Sequence, residues 1–308
     1  MSNQRVAPLI VFTYNRPIHT IKTLKKINDS LLAPLTNIFI FSDAAKNEDS
    51  IEKVKLTREA LRNFSDSNNF KKCTIYEASI NKGLAKSVIE GVTKIINKYG
   101  KVIVLEDDLI VSDDYLQYMN AALAHYEKDS KIWSISGYSF PMKSLIGYKD
   151  DYYLSYRGCS WGWGTWKDRW MSVDWDVVDY RKFKYNTVRR RRFDRGGSDL
   201  SIMLDLQMAG KIDSWAIRWC YAQSKQCKLT IYPTISRIKN IGTDGTGTHS
   251  PNTGDYDTEL YIGKIEHSFP DLRLCKRISR DFKRKFDENY FKSTLRKIRY
   301  FAFRVLEI

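Results

Sequence analysis

Apolar residues come in short blocks at the start of the chain. Four runs, residues 7–13, 37–43, 72–77 and 101–105, have the length and the turn-forming flanks of buried strands. The segments between them carry the helical period. Ile21, Leu24, Ile27 and Leu31 recur at helical spacing behind Pro17, which suits a first turn. Residues 48–64 read as a second helix, and residues 84–99 as a clear amphipathic one. Strand and helix alternating at this pace predict an α/β fold, an open and mostly parallel sheet flanked by helices. Beyond residue 113 the pattern predicts a helix to about residue 127, a strand over 133–138, a helix over 198–210, a segment over 212–223 and a late strand over 229–235. Residues 150–185 are dense in Trp, Tyr and Gly, and residues 242–256, rich in Gly, Thr and Asp, predict a loop.

Ligands of parallel sheets bind beyond the carboxyl ends of the strands. Polar groups collect at all four predicted ends: Thr13-Tyr14-Asn15-Arg16, Ser42-Asp43, Asn81-Lys82-Gly83-Leu84 and Glu106-Asp107-Asp108. An apolar strand that ends in three carboxylates suits a divalent cation. Mg²⁺ and Mn²⁺ take hard oxygen ligands, usually one or two carboxylates together with the phosphates they neutralise. A solvated acidic turn is the plainer alternative, and turn chemistry is the plainer account of Asn15, Arg16 and Asn81.

Composition narrows the picture. The chain has 308 residues and is 43% hydrophobic, enough for a sizeable core. The 13% aromatic content includes eight Trp, and such rings stack on sugar faces as readily as they fill cores. The net charge of +15 concentrates in Arg189-Arg190-Arg191-Arg192 and in the last thirty-five residues or so, which points to a local surface role and not to nucleic acid along the whole molecule. Five cysteines without a C-x-x-C pair read as reduced thiols with no zinc site. No signal peptide is visible and no apolar run is long enough to span a bilayer, so the expected location is the cytoplasm. Near the end, Lys283-Arg284-Lys285, Lys292, Arg296-Lys297, Arg299 and Arg304 interleave with Leu295, Ile298, Phe301, Val305 and Leu306 at helical spacing. This basic amphipathic pattern predicts attachment to the inner face of an anionic membrane, with docking on the protein's own core as the alternative.

The ordered motifs carry a resemblance. The segment Val11-Phe12-Thr13-Tyr14-Asn15-Arg16-Pro17 resembles the opening strand of family-2-like glycosyltransferases with the GT-A (Rossmann-like) fold, and Asn81-Lys82-Gly83-Leu84-Ala85 is similar to their N-x-G-L-A turn. The run from Leu105 to Leu109 with Tyr115-Leu116-Gln117-Tyr118-Met119, together with Gly162-Trp163-Gly164 and residues 232–236, resembles the N-acetylglucosaminyltransferase I-like enzymes. The resemblance covers roughly residues 7–250. It implies a GT-A catalytic domain over 1–265, with a nucleotide-sugar half (1–110) and an acceptor half (111–265), followed by a basic helical tail over 266–308. It also implies transfer, with inversion, from a nucleotide-diphosphate sugar, UDP-linked, to a glycan or lipid-linked oligosaccharide in surface polysaccharide or lipopolysaccharide synthesis.

By the same resemblance Thr13, Tyr14, Asn15, Arg16, Lys82, Gly83, Glu106 and Asp107 border the nucleotide, Asp43 holds the base or ribose, and Asp108 binds Mn²⁺ or Mg²⁺. His249, in the Gly-rich stretch Gly245-Thr246-Gly247-Thr248, could ligate the metal or touch the diphosphate, and a solvated loop histidine is the plainer alternative. Trp161, Trp163 and Trp215 would shape the donor and acceptor sugars, or else pack the core. The general base is expected after a Trp, and there stands Ala216, which has no proton-accepting group. Three readings stay open: a substitution that leaves the site base-deficient, Asp213 acting from one turn earlier, or a shifted alignment or an inactive enzyme. The alternatives for the whole chain are a nucleotidyltransferase-type enzyme, which should show a Gly-rich phosphate loop near the first strand, and a non-enzymatic membrane- or nucleic-acid-binding module, which leaves the acidic triplet unexplained.

Overall fold

The computed structural model describes residues 6–243, 256–263, 269, 271 and 273–287. Ten strands and ten α-helices lie within them. The first half runs β1 (Leu9–Thr13), α1 (Pro17–Asn28), β2 (Asn37–Ser42), α2 (Glu48–Ser67), β3 (Lys72–Glu77), α3 (Leu84–Tyr99), β4 (Lys101–Glu106), β5 (Leu109–Val111) and α4 (Tyr115–His125). The second half runs β6 (Ile132–Ser136), β7 (Tyr152–Ser155), β8 (Trp163–Trp166), α5 (Lys167–Met171), α6 (Tyr180–Lys184), α7 (Thr187–Phe193), α8 (Asp199–Met208), α9 (Trp215–Lys225), β9 (Leu229–Pro233), β10 (Ile238–Asn240) and α10 (Lys276–Lys285).

Eight strands form one sheet in the order β3-β2-β1-β4-β8-β6-β9-β7, and β10 with β5 forms a small second sheet. The expected α/β architecture, a large sheet flanked by helices, is present. Strands β3, β2, β1 and β4 are parallel to one another, and β6 is parallel to β9. Strands β8 and β7 run antiparallel to their neighbours. Both lie in or beside the Trp- and Tyr-dense stretch, where four-residue strands buried on both faces leave no alternation to read.

Local signals set the helix ends. Pro17 opens α1, a reciprocal capping box between Asn47 and Ser50 opens α2, and left-handed Gly100 closes α3. Leu31, expected on the apolar stripe of α1, lies past its end and is 70% exposed. One face of the sheet packs Leu9, Val11, Ile38, Ile40, Ile103 and Leu105 against α1, α2 and α4. The other packs Ile10, Phe12, Val102 and Val104 against α3 and a cluster of tryptophans.

Helix α10 belongs to the first core. Ile278 and Phe282 are buried, and Phe282 meets Phe140 and Tyr232 edge-on at ring distances of 5.3 Å. The beginning of the basic tail is thus docked on the eight-stranded sheet, the second of the two roles its sequence allows. Residues 288–308, with Lys292, Arg296, Lys297, Arg299 and Arg304, lie outside the described residues. Part of the arginine run is likewise spent inside the molecule: Arg190 makes a two-pronged pair with Asp205 at 2.9 and 2.8 Å. Among the described residues no helix is long and apolar enough to cross a membrane.

Candidate active site

Strands β1, β2 and β4 deliver their carboxyl ends side by side, with Thr13 paired to Ser42 and Phe12 to Glu106. Asp107 sits between the strand ends and α1. Its Oδ2 accepts from the backbone N–H of Tyr14 at 3.2 Å and from the Thr20 hydroxyl at 3.3 Å, and the Thr23 hydroxyl donates to its carbonyl at 2.9 Å. Asp108 turns toward the opening of α1, where the Arg16 guanidinium meets its Oδ2 at 2.8 Å with both side chains mostly buried. A second Arg16 nitrogen donates to the carbonyl of Gly242 at 3.4 Å.

That carbonyl comes from the far end of the chain. Asn240 pairs with Leu109, the Ile241 N–H donates to the Asp108 carbonyl at 2.9 Å, and the Asn240 side chain accepts from the Gly242 N–H at 2.7 Å. A Cβ on Gly242 would collide with the Asp108 carboxylate and lie 2.8 Å from the Arg16 guanidinium, so a larger residue would require these side chains to shift.

Three carboxyl groups in sequence, Asp107 buried and Glu106 and Asp108 partly so, resist ionising together. Burial first, then the charges of Asp108 and Asp107, push Glu106 up to about 8. Burial and Asp108 push Asp107 up to about 7, against the opposing pull of the Tyr14 N–H and Arg16. Asp108 is raised by burial and held back by Arg16 and, more weakly, by His19. The cluster is an excess of hard oxygen donors in need of positive charge, and it fits a divalent cation. Among the described residues no three acidic, His or Cys side chains group to hold a metal on their own. An ion here would take Asp108 and draw its further oxygens from a bound diphosphate.

The second strand end is built around Asp43. Its two oxygens accept from the backbone N–H groups of Ala44, Lys82 and Gly83 and from the Asn81 side-chain amide, at 2.9 to 3.2 Å. This carboxylate, expected on the base or ribose, is occupied in holding the Asn81-Lys82-Gly83 turn. Gly83 has φ +75° and caps α3, a left-handed position that glycine fills without strain. The Lys82 ammonium runs along α3 to Glu90 at 2.7 Å. Beside the turn lies a cavity of about 270 Å³, lined by Phe41, Asp43, Tyr76, Lys82 and Lys94 among others. Phe41 stacks on Tyr76 at 4.8 Å, and the Lys94 ammonium sits 3.8 Å from the centre of the Tyr76 ring.

The site residues expected from the sequence therefore fall into groups. Thr13, Tyr14, Asn15, Arg16, Glu106, Asp107 and Asp108 converge, and Asp43, Lys82 and Gly83 form the adjoining turn. Trp163 and Trp215 do not line an open site: they are 1% and 3% exposed and stack on each other at 5.0 Å against α3. Packing took them, because β8 is enclosed on both faces and Trp215 begins α9 on its buried side. Trp161 points to the opposite face, half-buried against Tyr138 and Tyr256. Ala216 is half-buried in the first turn of α9. Asp213 lies just before that helix, 65% exposed, and pairs with Arg218 at 3.2 Å. His249 lies outside the described residues.

Sequence reasoning passed over His19, Thr20, Thr23, Asn240 and Gly242. The first three follow Arg16 by three, four and seven residues, the face of a helix that begins at a strand end, and that spacing was the available signal.

The model of the family described as GNT-I family matches residues 2–172. The chain belongs to the GNT-I family. Solved structures similar to this GNT-I family chain include S. aureus TarS, at 11% identity over 42% of this chain and 21% of that one, with a TM-score of 0.32. A bifunctional glycosyltransferase, WbbM, in its apo form is similar at 8% identity over 74% and 38%, TM-score 0.33. The galactosyltransferase LgtC with donor and acceptor sugar analogs is similar at 13% identity over 70% and 69%, TM-score 0.33. This chain thus spans well under half the length of the first two. No curated protein matches it.

Proposed function

We propose that the chain is a glycosyltransferase that moves a sugar, with inversion, from a UDP-linked donor to a hydroxyl of a glycan or lipid-linked oligosaccharide at the inner face of a membrane, in surface polysaccharide synthesis. The observation that carries the reading is the buried carboxylate cluster at the end of β4, clamped by Arg16 and Gly242. Asp108 would hold Mn²⁺ or Mg²⁺, and the ion would neutralise the diphosphate that leaves.

The protein's own groups supply the rest. The rigid ends of β1 and β4 fix Tyr14, Arg16 and the triplet, so the donor meets a preformed site. Arg16, beside Asp108, would reach phosphate oxygens of the donor. The cavity beside the Asn81-Lys82-Gly83 turn, with Tyr76 and Phe41 as apolar surface, has the size and character for the nucleoside. The proton of the acceptor hydroxyl needs a base. On the segment where the family carries one, Asp213 is the carboxylate present and Ala216 the position without one.

Calorimetry with UDP-sugars tests this reading. The protein should bind a UDP-sugar with Mn²⁺ and lose most of that affinity in EDTA. Asp108→Asn should remove the metal-dependent part, at least tenfold in affinity, while circular dichroism stays unchanged. Equal affinity with and without metal, in both proteins, would overturn the assignment.

A further inference from the structure

A second polar concavity lies outside the strand-end site and shares no residue with it. It opens between α10 and the short 3-10 turn Lys143–Leu145, has a volume of about 360 Å³, and is lined by Lys143, Ser144, Arg277, Arg280, Asp281 and Arg284. Helix α10 is amphipathic. Ile278 and Phe282, four residues apart, are buried, while Arg277, Arg280 and Arg284, at i, i+3 and i+7, share the stripe that faces the turn. The core contacts of α10 hold these guanidinium groups on a fixed backbone.

The one carboxylate in the cleft is already committed. Asp281 Oδ2 accepts from the Ser144 N–H at 2.9 Å and so fastens the turn to the helix. Among the described residues no carboxylate forms an ion pair with Lys143, Arg277, Arg280 or Arg284. The Ser144 hydroxyl is buried, in a residue 6% exposed, without a hydrogen-bond partner among the described residues. Four cations crowded round one spent carboxylate, with an idle hydroxyl donor, make a site whose repulsion a multi-oxygen anion relieves.

An exposed apolar residue stands beside the cleft. Ile146, the residue that caps the turn, is 77% exposed. A soluble phosphate needs no apolar companion, whereas a bilayer surface offers phosphates and hydrocarbon together. We propose that the cleft seats the phosphate of an anionic phospholipid headgroup while Ile146 enters the interface beside it. This deepens the reading that the enzyme works at a membrane. It moves the contact from the far tail to the docked helix, which would hold the catalytic sheet at a fixed height and tilt over the bilayer.

Co-sedimentation of the full chain with vesicles tests it, using phosphatidylcholine alone and phosphatidylcholine mixed with phosphatidylglycerol. Each cation near an anionic leaflet is worth about fivefold in partitioning, so Arg277→Gln/Arg280→Gln/Arg284→Gln together should weaken binding to the mixed vesicles roughly a hundredfold. Ile146→Ser should weaken it severalfold without a change of charge. Lys143→Gln, off the helix, should cost about fivefold and keeps the test available if the triple variant folds poorly. The comparison is a tail variant, Lys292→Gln/Arg296→Gln/Lys297→Gln/Arg299→Gln. If the tail variant alone loses binding, the cleft assignment falls and the membrane reading stands. If the wild-type chain ignores both vesicles, both fall. If glycerol phosphate binds as tightly as the lipid and Ile146→Ser has no effect, the cleft serves a soluble phosphate and the headgroup assignment is overturned.

Discussion

Asp107 and Glu106 hold their protons far more tightly than free carboxylic acids do, and this has a measurable sign. Glu106 is raised from 4.5 to about 8 and Asp107 from 3.8 to about 7, burial being the first cause in both. A group with a raised folded-state value stabilises the fold below its unfolded value and loses that contribution as pH rises through the folded one. In EDTA, stability should therefore fall progressively between about pH 4 and 8, by an amount on the order of a few kcal/mol, and the melting temperature with it. Glu106→Gln/Asp107→Asn should flatten that slope, as scanning calorimetry across pH would show. A melting temperature that climbs over this window would mean that the triplet is paired in some other way. The same residues set what could be read from the chain. Thr13 to Arg16, the Asn81 turn and the triplet were legible because each stands at the end of an apolar run. Gly242 was not, because its value lies in contact with Asp108, more than 130 positions earlier, and no local pattern records it.

Among the elements, α9 and α10 carry the two mutational tests. Ala216 occupies the first turn of α9, behind the Ser214 cap, whose hydroxyl accepts from the Ile217 N–H at 3.3 Å. A carboxylate at a helix start is favourable, so Ala216→Asp should fold. If the transferred proton needs a base at this position, the change should raise the transfer rate by about 10²–10⁴-fold, the usual worth of a general base, with donor affinity little altered. Steady-state assays of Ala216→Asp beside Asp213→Ala decide the matter: no gain in the first and full loss in the second would assign the role to Asp213. In α10, Phe282 is 2% exposed among Phe140, Tyr153 and Tyr232. Phe282→Ala should cost about 3–5 kcal/mol by denaturant titration. A loss under 1 kcal/mol would mean that the helix is not seated in solution. Strands β1, β2 and β4 and helix α3 were legible because their periods are unmixed. Strands β7 and β8 hid among Trp, Tyr and Gly, where burial on both faces erases alternation, and β10, at three residues, is too short to repeat an alternation.

At the scale of the molecule, the nucleotide and acceptor halves drawn from the sequence share one sheet. Strand β4 pairs with β8 from Lys101 to Val104, and β5 pairs with β10 beside the triplet. Residues 6–243 should therefore unfold in a single cooperative step, and two resolved calorimetric transitions would contradict this. The strand order also fixes a timetable. The open edge of β4 is complete at Glu106, but its neighbour begins at Trp163, roughly sixty residues later. At about 5–20 residues per second, a ribosome leaves that apolar edge without a partner for roughly 3–12 seconds. Every newly made chain passes through an interval in which half a sheet waits for its middle strand. Slower synthesis lengthens that exposure, so yield in a host cell should depend on holdase chaperones that cover the edge until β8 emerges.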